Sequence, residues 1–152
     1  MKTVIFDLDG TVIDSSHRAN ILPDGSLDLA DWIENNRPEK ILRDSLLPMA
    51  KLWRGFIAGG ATIAICTARY MQDADFQFLR VNGLFSHFTF SRPLGCLDAD
   101  AGLKVQQLGD WMKREQIESA VMYDDNASVR EAVSSSLPIV CIDPIGYNSR
   151  SI

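Results

Sequence analysis

The sequence predicts an α/β fold: a three-layer, doubly wound, mostly parallel sheet with helices on both faces. Two observations lead there. Short β-rich apolar runs alternate with amphipathic segments along the whole chain, and that alternation builds parallel sheets through crossover helices. The run Ala61-Thr62-Ile63-Ala64-Ile65-Cys66-Thr67 is continuously apolar up to its last residue, as suits a strand covered on both faces. A third observation concerns placement. Polar residues remote in sequence follow directly on several apolar runs, and open parallel sheets bind ligands at the carboxyl ends of their strands.

The elements are read in order. Residues 3–7 form the first strand, and residues 10–27 a loop with a turn at Pro23-Asp24-Gly25. Residues 29–35 form a short helix capped by Asp28 or Ser26. Residues 45–58 form a longer helix with Pro48 in its first turn and Leu52, Trp53, Phe56 and Ile57 at helical spacing. Gly59-Gly60 ends it. The strand 61–67 is followed by a helix at 73–81, stopped by Asn82-Gly83. A short strand at 87–91, a helix at 102–115, a strand at 120–123, a helix at 127–133 and a last strand at 138–143 complete the pattern. The tail from Pro144 is expected to be mobile. Trp32, Trp53 and Trp111 occupy helical positions that point to the core.

With 152 residues, 46% of them apolar, the chain suits one domain, 1–152, with an inserted flap or small cap at about 12–43. The net charge of −5 argues against a broad nucleic-acid-coating surface. No apolar stretch approaches the roughly 20 residues that span a bilayer, and Asp7 and Asp9 interrupt the N-terminus too early for a signal peptide. Cys66, Cys96 and Cys141 are odd in number and widely spaced, which fits reduced thiols and a cytoplasmic location rather than disulfides or zinc.

The chemistry is concentrated at Asp7-Leu8-Asp9-Gly10-Thr11, directly after Val4-Ile5-Phe6. Two carboxylates at i and i+2, where a strand meets a loop, can converge on a divalent cation, and the first can attack an electrophile. Gly10 lets the chain leave the strand sharply. A hydroxyl at Thr67 can donate to a phosphoryl oxygen. Lys104, near the start of a helix, can neutralise charge on a nucleophile and on a transferring group. The adjacent carboxylates Asp124-Asp125 repel one another, so the pair suggests a cation; oxygen-only ligands favour Mg²⁺ over zinc. Read singly, these residues also fit a turn, a strand end, an exposed helical lysine and a helix cap.

Taken in order, Asp7-Leu8-Asp9-Gly10-Thr11, Thr67, Lys104 and Asp124-Asp125 resemble the four motifs of the haloacid dehalogenase superfamily, over nearly the whole chain. The resemblance implies Asp7 as a nucleophile that forms an aspartyl-phosphate, and Asp9 as general acid and then base. It implies that Thr67 and Lys104 hold the phosphoryl group. Asp124 and Asp125 would complete a Mg²⁺ site with Asp7 and the backbone carbonyl of Asp9, and Thr11 would tie down the loop. An Asp at the second motif position favours phosphatases over dehalogenases.

A narrower resemblance links Arg18, Arg69 and Asp100, with Asp44 and Pro48, to the phosphatase domain of phage polynucleotide kinase/phosphatases. It implies Arg18, Arg69 and Asp100 as substrate-binding residues. The segment 19–43 is longer here, and no P-loop is present. No large cap fits between the motifs, so the cleft is expected to be open to a bulky substrate or closed by a partner subunit. The expected substrate is a nucleotide or a nucleic-acid 3′-phosphate end. A small sugar or metabolite phosphate, and a catalytically silent binding module, stand as the alternatives. The oligomeric state is not set by the sequence.

Overall fold

A computed structural model describes residues 2–150. In chain order the strands are β1 (Thr3–Phe6), β2 (Ile13–Asp14), β3 (Ser45–Leu46), β4 (Thr62–Cys66), β5 (Phe88–Phe90), β6 (Ala120–Tyr123) and β7 (Ile139–Ile142). The helices are α1 (Leu29–Glu34), α2 (Pro38–Ile41), α3 (Met49–Ala58), α4 (Asp73–Val81), α5 (Asp100–Arg114), α6 (Ala127–Ser136) and α7 (Ile145–Arg150). Five strands form one sheet in the order β5-β4-β1-β6-β7, every pair parallel, and β2 and β3 form a separate antiparallel pair. The expected α/β class and doubly wound parallel sheet are what the chain adopts.

Side chains of a strand alternate between faces, and β1 shows the consequence. Val4 and Phe6 enter one apolar cluster with Ile63, Ile65, Met49, Trp53 and Phe78. Ile5 enters the other with Ala64, Cys66, Met122, Leu108, Trp111 and Val129. Phe6 stacks on Trp53 with ring centroids 4.9 Å apart. All three tryptophans are buried. The three cysteines are unpaired thiols. Among the described residues no helix is long and apolar enough to cross a membrane.

The structure refines the sequence reading in several places. The helix expected over 45–58 begins at Met49, and Ser45–Leu46 pairs with β2 instead. Pro48 forces this: a residue before proline is driven out of the α region, and Leu47 donates its N–H to the Val12 carbonyl at 2.8 Å. The loop expected over 10–27 contains β2, a 3₁₀ turn at Ser16–Arg18 and a small hairpin around Gly25, whose φ is +88°. The tail expected to be mobile holds α7, whose Asn148 accepts from Met49 N–H at 2.9 Å and donates to the Thr11 carbonyl at 3.0 Å. The insert over 12–43 has room for a second short helix beside α1, and α2, opened by Pro38, fills that place at a position the sequence did not mark. It is a single turn, too short to show a helical period.

Candidate active site

Asp7 leaves β1 with its N–H still in the sheet, donated to the Tyr123 carbonyl at 3.0 Å. The loop then tightens around one acceptor: Thr11, Val12 and Ile13 all donate their N–H groups to the Leu8 carbonyl at 2.9–3.1 Å. Leu8 is wholly buried and anchors the turn. Gly10 sits at φ +79°, and a β-carbon there would collide with the Asp125 carboxylate. Only glycine meets both demands. The Thr11 hydroxyl donates to Asp7 Oδ2 at 2.9 Å and accepts from Asp125 N–H at 3.1 Å. It thereby joins the loop after β1 to the loop after β6.

Lys104, on the second turn of α5, reaches the same point from beneath. Its ammonium donates to Asp7 Oδ1 at 3.0 Å and to Asp124 Oδ2 at 2.8 Å, with Asp100 Oδ2 at 3.7 Å. All three partners are acidic, and their attraction outweighs burial to hold the ammonium well above its usual pKa. Asp124 Oδ1 accepts from Asn126 N–H at 2.9 Å; Asn126, rather than either aspartate, caps α6. Asp7, Asp124 and Asp125 each offer a carboxylate oxygen, all within 4.8 Å of one another.

One ammonium does not balance this cluster. Burial, and then Asp124, push the Asp7 carboxyl well above the usual range, despite Lys104. Burial also raises Asp125. A hard divalent cation among these oxygens would supply the missing charge, so the donor set fits Mg²⁺ chemistry. Asp9 behaves oppositely. Burial alone would raise it, but the Arg69 guanidinium, helped by the Ser15 hydroxyl, holds it below the usual range. Arg69 donates to Asp9 through Nε at 3.2 Å and through Nη2, and Ser15 Oγ donates to Asp9 Oδ1 at 2.7 Å. The Asp9 carboxylate therefore stands on the arginine side, outside the three-carboxylate group.

Thr67 follows β4, fully buried, and its hydroxyl accepts from Arg69 N–H at 3.0 Å. Asp100 opens α5 on the rim, its carboxyl raised chiefly by burial, and its Oδ1 has no hydrogen-bond partner among the described residues. Arg18 and Arg69 are neither solvated nor part of the cleft lining. Arg18 donates to both Asp44 oxygens at 3.1 and 3.0 Å and lies 4.3 Å over the Trp32 ring. Arg69 is fully buried among Asp9, Asp75 and Asp44.

Sequence reasoning assigned no role to Asp75 or Arg92. Asp75 looks like an ordinary first-turn helix acid. Arg92 precedes a proline in a loop, yet it is buried and donates to the carbonyls of Ala68, Cys96 and Asp98, stapling the loops after β4 and β5 together. Asp44 was grouped with Arg18 and Arg69 by the narrower resemblance, but that it accepts from both was not legible in the sequence.

Above these groups opens a cleft of about 970 Å³. Among the described residues its lining holds seven aspartates, the hairpin residues Ile21 and Leu27, and no Lys or Arg.

The sequence profile of the bacteriophage T5 5′-deoxynucleotidase family matches residues 1–93. The chain belongs to that family. The 5′-deoxynucleotidase of Escherichia phage T5 is 39% identical over 87 residues, which are 55% of this chain and 36% of that protein. The chain thus spans about a third of the length of this relative. The profile match takes in Asp7, Asp9, Thr67 and Arg69, whereas Lys104 and the late aspartates lie beyond it. Among solved structures, a haloacid dehalogenase-like hydrolase from Streptococcus pneumoniae superposes with a TM-score of 0.65 at 10% identity, covering 99% of this chain and 98% of its own. A chain of the Pnkp1/Rnl/Hen1 RNA repair complex superposes at 0.59 with 18% identity, covering 93% of this chain and 42% of its own. The family member therefore has the haloacid dehalogenase fold.

Proposed function

We propose that the chain is a Mg²⁺-dependent phosphomonoesterase that hydrolyses nucleoside monophosphates through an aspartyl-phosphate. The observation that carries this reading is the convergence on Asp7 of Lys104, Thr11, Asp124 and Asp125, from loops far apart in sequence. Asp7, Asp124 and Asp125 would hold the cation. When bound, it offsets the repulsion among these carboxylates and between Asp7 and an anionic phosphate.

The Asp7 carboxylate attacks phosphorus, and the bond from phosphorus to the leaving nucleoside oxygen breaks. Asp9 supplies the proton that this oxygen takes up. Water then attacks the aspartyl-phosphate, Asp9 receives its proton, and inorganic phosphate and free Asp7 result. Arg69 holds Asp9 ionised and oriented, which suits the second step. The approach of a phosphate anion to that carboxylate raises its proton affinity for the first. Lys104 faces the charge that builds on the phosphoryl oxygens. The reading gives Arg18 and Arg69 positioning roles through Asp44 and Asp9, rather than direct contact with substrate.

The charge of the cleft supports a mononucleotide over a nucleic-acid end. Seven aspartates and no exposed cation line it, whereas a polynucleotide's run of phosphates needs Lys and Arg along its track. The name of the phage relative points the same way.

The test measures phosphate release from deoxynucleoside 5′-monophosphates and from a 3′-phosphorylated oligonucleotide. Activity should require Mg²⁺, vanish with EDTA and favour the mononucleotide. Asp7→Asn should lower kcat by roughly 10³-fold or more with the fold intact by circular dichroism. Full activity in that variant would remove Asp7 from the mechanism.

A further inference from the structure

The hairpin over residues 20–28 is closed by Asp28 N–H to the Asn20 carbonyl at 2.9 Å and Leu22 N–H to the Ser26 carbonyl at 2.7 Å. Ile21 and Leu27 are directly paired across it in antiparallel fashion. Cross-strand partners project to the same face, so their side chains stand together. They are 58% and 38% exposed, yet both line the cleft that holds Asp7 and Asp9. The nearby hydroxyl of Ser26 is already engaged, donating to Asp24 Oδ1 at 2.6 Å. The face of Trp32 is taken by Arg18. Within that cleft the pair thus offers an aliphatic platform.

We infer that Ile21 and Leu27 form the nucleobase subsite and set the preference for a nucleotide over a base-free sugar phosphate. This rests on the phosphomonoesterase reading above. A phosphate bound at Asp7 leaves the rest of its ester in the same continuous cleft. A base has two flat, weakly hydrated faces that gain from covering aliphatic carbon, whereas a polyhydroxylated sugar would lose hydration against it. With no cation in the lining among the described residues, the paired side chains offer apolar contact to a base, beside the Asp24 carboxylate of the same hairpin.

The experiment compares kcat/KM for thymidine 5′-monophosphate and deoxyribose 5-phosphate, which share the phosphate and sugar and differ in the base. Wild type should favour the nucleotide. In I21S/L27S the ratio of the two values should fall roughly tenfold, the scale of part of two aliphatic burials. Leu22→Ser, on the same hairpin but outside the cleft lining, should keep the wild-type ratio. The altered side chains are solvent-facing, and circular dichroism and melting temperature verify that the variants fold. A wild-type ratio near one, or a double variant that keeps the wild-type ratio, overturns the subsite while leaving the phosphatase reading standing. Failure of wild type to hydrolyse either compound defeats the phosphatase reading and the subsite with it.

Discussion

Asp44 pairs with two buried guanidinium groups. It accepts from Arg18 twice and from Arg69 at 3.2 Å, with His17 Nε2 2.8 Å away, all while fully buried. Removing one partner of a buried ion pair strands the other charge. Asp44→Ala should therefore destabilise the fold by about 3–5 kcal/mol, measured as a lowered urea midpoint, with a smaller loss for Asp44→Asn. At this scale the sequence was only partly legible. Asp7, Asp9, Asp124 and Asp125 stood out because each follows an apolar run, and strand ends are where such sheets gather ligands. Arg18, Arg69 and Asp44 were marked only through the narrower resemblance, and their burial and mutual pairing were not, because an arginine is read by default as a surface residue. Only the count of carboxylates that fold around Arg69 reveals that it is interior.

The elements legible in advance were those buried on both faces or closed by clear stop signals. Helix α4 and strand β6 lie where periodicity placed them, since Asn82-Gly83 ends the first and the second is an uninterrupted apolar run. The short pieces were not legible, because β2, β3 and α2 are each held by contacts with other segments rather than by local pattern. Helix α7 is the sharpest case: a stretch with little apolar character is held by Tyr147 against the core and by Asn148, which bonds both the start of α3 and the loop after β1. Asn148→Ala removes both bonds and should cost about 1–3 kcal/mol in chemical denaturation. Amide exchange should rise at Met49, whose partner is lost.

For the whole molecule, the balance of charge would couple folding to the proposed cation site. The carboxyls of Asp7 and Asp125 are raised in the folded state, so the fold binds their protons more tightly than the unfolded chain does. The metal-free fold therefore loses stability as pH rises from the ordinary carboxylate range through the raised values, where these groups must ionise while buried. A cation that binds only the folded state reverses this loss, by about 2.7 kcal/mol at one hundred times its Kd. Mg²⁺ should thus raise Tm at pH 7.5, and the increment should shrink as pH falls and protons compete for the same oxygens. Calorimetry with and without Mg²⁺ across that range checks both the sign and the trend. An increment independent of pH would separate the cation from these carboxylates.

The three indoles also divide unequally between interior and cleft. Trp53 and Trp111 are sealed in opposite apolar layers, while Trp32 borders the cavity with Arg18 against its ring. Occupancy of the cavity thus has an intrinsic optical signal. A change in emission on filling it would originate at one fluorophore, above a constant background from the other two, and binding could be followed without attaching a dye.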